Sequence, residues 1–430
     1  MCNSPRALRR TLANGTELTA VPLPHSLTAG IHVASRTGSG SECVDLSGIT
    51  HFVEHMLFRE TGKAPGAIPT AIERLGGEIN AATELEITTL ASRVPTSQWH
   101  TALKYIGQMI REPLMHPQEI DKERTVILDE LALIEDIPEE SVHRAIGASL
   151  WPDHPFGREI AGTVDSVRSL TQAELSNHAT QMFSGRNTVA TVAGAIDPAE
   201  ALDALSTAFD ALPEGTTQNY AEFQPTASSR PTPQVIPKSS EQTYFSVAGF
   251  TPGRATAGRY PMELIGTILG GGFGSRLLIE LRERRGLVYD LSADIGYGGD
   301  HAVLAINGAT DPEDIVKTIS VVLVQLNDIK TQGVSIEELK RAQAYITGSL
   351  LRVMEDAAAV SAWHTRELVL ETDPLSPSGV IARLQSITID DLFSTAAGLL
   401  DAAWPTIVIA GPVDHTVGIK SELEDLLAST

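Results

Sequence analysis

Two histidines and a glutamate within five residues, His51, Glu54 and His55, have the types and spacing for metal-assisted acid–base chemistry. Four residues apart on a helix, His51 and His55 share one face and can offer two imidazole nitrogens to a single metal ion. Glu54, three residues after His51, is placed to take a proton from a metal-activated water. Zinc held by nitrogen and oxygen donors needs one more protein ligand and keeps a fourth position for water. Ser47 is the expected N-cap of this helix, and Phe52, Met56 and Leu57 supply an apolar face to anchor it. The competing plain reading is an ordinary helix with two satisfied histidines and a solvated glutamate.

A second stretch weighs against the plain reading. In Pro117–Glu135 (PQEIDKERTVILDELALIE), Ile120, Val126, Ile127, Leu131 and Ile134 mark one helical face. Glu123 and Glu130, seven residues apart, fall on that same face. Carboxylates on an inward face are costly unless they are paired or bound to a metal.

The stretch Gly48–Thr61 (GITHFVEHMLFRET), followed by ERTVILDE at Glu123–Glu130, closely resembles the pitrilysin family of metallopeptidases. That resemblance implies His51, His55 and Glu130 as ligands of one Zn2+ per chain, Glu54 as general base, and Glu123 as a carboxylate that orients a ligand. Gly76–Thr83 (GGEINAAT) resembles the family's substrate-pairing edge strand, which would bring Asn80 and Ala81 to the substrate. The family usually has a tyrosine seven residues after that threonine, where this chain has Leu90. Ser275–Tyr289 (SRLLIELRERRGLVY) resembles the segment that carries the family's Arg and Tyr pair. Arg282 and Tyr289 would then hydrogen-bond the substrate carbonyl and help to stabilise an oxyanion. The likeness runs from about Gly15 to about Leu370, and it implies a zinc endopeptidase acting on peptides or unfolded segments in a closed dimeric chamber. The alternative within the family is a non-catalytic or partner subunit of a heteromeric complex.

The elements that must position these residues follow from periodicity. Strand-like Glu17–Thr37 precedes a helical stretch from Ser47 to about Gly62; a helix at Pro69–Leu75, a strand-like segment at Glu78–Val94 and long helices across Ser97–Ile137 follow. Pro213–Ser240 is rich in proline and small polar residues without an amphipathic period, which reads as a linker. On either side the chain echoes itself. Thr188–Asp197 (TVATVAGAID) leads into the helical run Ala199–Leu212, and Thr406–Asp414 (TIVIAGPVD) leads into Gly418–Leu427. The expected fold class is α+β: two similar domains, 1–212 and 236–430, joined by a linker at 213–235, each a mainly antiparallel sheet with helices on one face. Gly270–Ser275 (GGGFGS) lacks the lysine of a phosphate-binding P-loop and is expected to be a turn.

Composition sets outer bounds. A chain of 430 residues exceeds one ordinary core, and 42% hydrophobic with 20% charged residues is a globular balance. Acidic residues outnumber basic ones 54 to 32, a net charge of −22 that disfavours nucleic acid and anionic membranes and favours basic peptides. Only two cysteines are present, Cys2 and Cys43, and no apolar run follows Arg6, Arg9 and Arg10, so neither a disulfide framework nor a secretory signal is expected. A cytoplasmic location is the corresponding expectation. Because the zinc motif and the Arg–Tyr pair lie in different halves of a half-length chain, the resemblance implies a homodimer, with a heterodimer of related subunits as the alternative.

Overall fold

The computed structural model describes residues 7–59, 66–218, 220–223, 232–371, 373–399, 404–416 and 418–429. Cys2, Arg6, the expected helix end at Gly62 and residues 224–231 of the linker lie outside them.

The strands of the first sheet are β1 (Leu8–Thr11), β2 (Glu17–Pro22), β3 (Thr28–Ser35), β4 (Glu78–Thr83), β5 (Thr88–Pro95) and β6 (Thr188–Gly194). They lie in the order β1-β2-β6-β3-β5-β4, antiparallel except for β2 with β6. The second sheet comprises β7 (Gln234–Pro237), β8 (Thr243–Pro252), β9 (Val288–Gly298), β10 (His301–Thr310) and β11 (Thr406–Gly411). Its order is β7-β11-β8-β10-β9, and again one pair alone, β7 with β11, is parallel. Without β1 the two orders superimpose strand for strand. The two segments that echo each other, β6 and β11, occupy the same inner place, each parallel to one neighbour and antiparallel to the other. Every residue of both is buried, as strands covered on both faces require, which is why they read as unbroken apolar and small-residue runs.

The division into compact units differs from the expected cut at 213–235. One unit comprises Met1–Leu131, Glu159–Ala221 and Leu350–Ser378; the other comprises Ala132–Arg158, Glu222–Ser349 and Gly379–Thr430. Each sheet is covered on one face by helices of its own half, and one further helix from the other half covers its second face. In the first unit the main core joins Ile31, Val33, Leu90 and Val94 of the strands to Phe52, Ile106 and Leu205 of helices. On the opposite face the helix Ala357–Leu370 packs Ala357 and Val360 against Val21 and Ala193. Its Thr365 hydroxyl lies 2.8 Å from Thr191 Oγ1 and 3.3 Å from the His32 carbonyl oxygen. In the second unit Pro138–Leu150 plays this part against β8 and β11. A change in composition can mark the chain's passage between halves, but it cannot report which helix each sheet recruits. Among the described residues no helix is long and apolar enough to cross a membrane.

The contact of Ala357–Leu370 with the sheet is closest at Gly30. A Cβ there would stand 2.4 Å from the Ala357 carbonyl oxygen and 2.5 Å from Ala358 Cα, both backbone atoms that cannot swing away. Gly30→Ala is therefore expected to destabilise the protein by about 1–3 kcal/mol, the usual penalty for overpacking. A urea melt checks this, as a lower midpoint with unchanged slope.

Candidate metal centre

His51, Glu54 and His55 lie on the helix Ile49–Leu57. Its N-cap is Gly48 and not Ser47: Gly48 has φ +89°, and a Cβ there would stand 2.5 Å from the Ala161 carbonyl oxygen. The first-turn amides are instead satisfied from a distance, because the buried Glu42 carboxylate accepts from Gly48 N at 2.7 Å and Thr50 N at 2.9 Å. That carboxylate also suits the positive end of the helix dipole. Phe52, Met56 and Leu57 are fully buried, as the apolar face requires.

Glu123 and Glu130 lie on the helix Pro117–Asp136. Ile120, Glu123, Ile127 and Leu131 form its buried stripe, whereas Val126, expected there, is 46% exposed. Arg124 secures the helix by donating to the carbonyls of Val167 and Leu170, and its guanidinium lies over the Phe52 ring.

The two helices bring one atom each from His51, His55 and Glu130 within 4.8 Å of one another, the one group among the described residues arranged to hold a metal. His51 Nε2 is 3.8 Å from Glu130 Oε1 and His55 Nε2 is 3.6 Å from Glu130 Oε2. Those distances are long for hydrogen bonds. They are close to the separation of about 3.4 Å between ligand atoms that tetrahedral bonds of about 2.1 Å imply. The donor set of two imidazoles and one carboxylate also suits zinc, so the residues present fit the ion.

Electrostatics favour the same use. Burial, with the neighbouring His55 adding to it, pushes the His51 pKa down to about 4, so its ring is neutral and keeps a lone pair at neutral pH. Glu123 is only 5% exposed. Burial alone would raise its pKa, but the hydrogen bond from His55 at 3.1 Å and the bonds from Arg59 outweigh it and hold the group ionised. An ionised carboxylate only accepts, so His55 Nδ1 carries a proton, which makes Nε2 the lone-pair nitrogen of the neutral ring. For His55 burial lowers the pKa, while the bond to Glu123 and the charges of Glu123, Glu54 and Glu130 overcome it and raise it. Burial raises the Glu54 pKa. One Glu54 oxygen, Oε2, accepts a 2.8 Å hydrogen bond from the Thr83 hydroxyl. An open recess of about 470 Å³ adjoins these groups, lined by Glu54, His55, Phe58, Arg59, Gly66 and Glu123.

The remaining expected residues fall into place separately. Asn80 and Ala81 lie on β4, the edge strand of the first sheet, Asn80 exposed and Ala81 packed on the core opposite Leu90. Leu90 is itself fully buried. Arg282 and Tyr289 belong to the second unit and meet there, with the guanidinium carbon 5.1 Å from the ring centre. Gly270 ends the helix Arg259–Gly270, and the expected turn follows at 271–275. Three contributors were not anticipated: Glu42 as distant cap, Thr83 on Glu54, and Arg59 on Glu123. Thr83 and Arg59 stand inside the two recognised motifs, which was their only signal. Glu42 had none.

Two family models match the chain: Insulinase (Peptidase family M16) at residues 22–164, and Peptidase M16 inactive domain at residues 169–346. An uncharacterized zinc protease of Streptomyces coelicolor is 28% identical over 98% of this chain and 92% of its own length. The crystal structure of a protease from Helicobacter pylori shares the fold with a TM-score of 0.87 at 19% identity, over 95% of this chain and all of that one. A peptidase M16 inactive domain from Pseudomonas fluorescens does so with a TM-score of 0.86 at 20% identity, over 95% of this chain and 98% of that one. The metal-compatible group lies within the first matched stretch, and Arg282 and Tyr289 lie within the second.

The link from Arg59 through Glu123 to His55 has a measurable consequence. Glu123→Gln keeps the shape but removes the charge that fixes the His55 tautomer. Its zinc affinity is expected to fall roughly 10–100-fold, the usual cost of losing a ligand's outer partner, as read by competition with a chromophoric chelator.

Proposed function

We propose, from the premise that this chain belongs to peptidase family M16, the insulinase or pitrilysin family, that it is a zinc-dependent endopeptidase acting on peptides and unfolded segments. The convergence of His51, His55 and Glu130 on one point, with Glu54 beside it, is the observation that supports this reading. His51, His55 and Glu130 would hold one zinc per chain. A zinc ion held there would supply Lewis-acid chemistry, lowering the pKa of water and polarising a peptide carbonyl. Glu54, with Oε2 engaged by Thr83, uses Oε1 to take the water's proton and passes it on to the departing amine. Glu123 keeps the His55 ring in the orientation that points Nε2 toward Glu130. A peptide added as a strand along the β4 edge would run past Asn80 and Ala81. Arg282 and Tyr289 would donate to its carbonyl oxygens.

A second reading, a non-catalytic or partner subunit, draws on the name of the model matched at residues 169–346. The parent protein and one variant together separate the two. Glu54→Gln should bind zinc as the parent does and lose peptide hydrolysis, since Glu54 is no ligand in this reading. A parent protein that binds zinc but cuts no peptide alone would favour the subunit reading, and near-normal turnover in Glu54→Gln would remove Glu54 as base.

The reading extends to a homodimer in which the zinc group of one chain works with Arg282 and Tyr289 of a second copy. The acid excess of 54 over 32 suits basic substrates. Glu54→Gln, inactive alone, and Arg282→Ala, reduced to residual turnover alone, should then restore each other when co-expressed. A mixed dimer holds one doubly defective site and one intact site, so at most half the parental activity returns. Mixed dimers no more active than their parents would overturn the shared site.

A further inference from the structure

Phe273 is 75% exposed, on the glycine-rich turn that follows the helix Arg259–Gly270. The turn is tightly held. Arg341 donates to the carbonyls of Gly271 at 2.8 Å and Thr267 at 3.1 Å, satisfying the end of that helix. Gly272 has φ +75°, and a Cβ there would meet the Tyr345 ring at 2.9 Å. A flexible tip could tuck an apolar ring away. This one presents it to solvent from a fixed position.

The Arg282 guanidinium lies over that ring and over a second one. Its carbon is 5.3 Å from the centre of Phe273 and 5.1 Å from that of Tyr289, itself 82% exposed. Among the described residues its only ion pair is a long one, Nε to Glu283 Oε1 at 3.7 Å. Arg282 also sits in a π-helical stretch, Leu278–Glu283, a widened backbone that changes the direction of its side chain relative to an ordinary helix. Aromatic rings attract a guanidinium through its flat faces, which leaves the in-plane N–H groups free to donate. Two ring contacts on one guanidinium therefore restrict its orientation without consuming its hydrogen bonds.

We propose that Phe273 is a positioning residue for Arg282, holding the guanidinium against Tyr289 so that its edge meets a substrate carbonyl oxygen. This rests on the reading of Arg282 and Tyr289 as substrate-contacting groups. It adds a residue to that pair and assigns the glycine-rich turn the task of presenting it. The fixed orientation matters most when charge develops on the carbonyl oxygen, so its loss should appear in kcat more than in KM.

The test uses full-length protein with zinc and an internally quenched basic peptide. Phe273→Leu keeps apolar bulk and loses the ring; Phe273→Trp keeps a ring. Because the side chain is exposed, both should fold with the parental Tm. Phe273→Leu is expected to lower kcat about three- to tenfold with KM within about twofold, the scale of one cation–π contact. Phe273→Trp should stay near the parent. In an Arg282→Ala background, Phe273→Leu should cost nothing further. Loss confined to KM, or a full loss persisting without Arg282, would overturn the proposal in favour of direct contact between Phe273 and substrate. If Arg282→Ala costs activity and Phe273→Leu does not, the Arg–Tyr reading stands and the proposal falls. If Arg282→Ala costs nothing, that reading fails and takes the proposal with it. The resting geometry has its own readout: the Arg282 side-chain NMR resonances should lose a ring-current shift in Phe273→Leu, and unchanged resonances would show that no stack exists in solution.

Discussion

An ionised carboxylate in a protein interior is tolerable only when opposite charge and hydrogen bonds surround it, and Glu123 meets that condition from both sides. Arg59 bonds one of its oxygens and His55 Nδ1 the other. Arg59 and His55 both belong to the segment of the first motif, whereas Glu123 belongs to the long helix Pro117–Asp136. The pairing therefore ties the two elements together at the level of the donor atoms. Seven residues on, about two turns along the same helix, Glu130 reaches the Nε2 atoms of His51 and His55. The buried stripe of Ile120, Ile127 and Leu131 holds the register in which this happens. A slip of one residue would rotate Glu123 by about 100° toward water and carry Glu130 away with it.

The chain builds the same sheet order twice. The orders β2-β6-β3-β5-β4 and β7-β11-β8-β10-β9 correspond strand for strand. The segment after β3 carries the histidine motif, and the corresponding segment after β8 carries the glycine-rich turn and Arg282. The second copy has no histidine pair and presents instead the contact of a guanidinium with a phenol ring, Arg282 with Tyr289. Each copy also takes the helix covering its second face from the other half of the chain. Neither sheet is complete without residues distant in sequence, so the halves are expected to fold only as parts of one chain.

Chemistry was legible in the sequence where covalent spacing determines it. His51 and His55 share a helical face because they are four residues apart, and Glu123 and Glu130 do so because they are seven apart. The echo between Thr188–Asp197 and Thr406–Asp414 was legible for a similar reason, since a strand buried on both faces leaves little choice of residue. What escaped depends on tertiary register. Glu42 caps Gly48 and Thr50 across an intervening short turn, and nothing in its own neighbourhood signals that. Ser47 looked like the cap because its side chain suits the role, but the approach of Ala161 requires the left-handed Gly48 instead. Val126 fits the apolar period yet is half-exposed, because the helix Pro117–Asp136 buries a narrower stripe than its sequence would allow. The exchange of covering helices left no mark, since Ala357–Leu370 and Pro138–Leu150 would suit either sheet by composition alone.

The edge strand β4 is tied to the candidate metal centre through one hydroxyl. Along β4 side chains alternate, so Asn80 points away from the face that carries Ile79, Ala81 and Thr83. Thr83, the last residue of the strand, donates to Glu54 Oε2. The strand that offers its free backbone edge thus also fixes one oxygen of the proposed base. A displacement of the strand's end would move Thr83 and with it the hydrogen bond to Glu54. Leu90 anchors the strand from the neighbouring β5, directly opposite Ala81 and fully buried in the apolar core. An apolar residue at that position stabilises the edge that Thr83 terminates, so the departure from the family pattern is consistent with the same geometry.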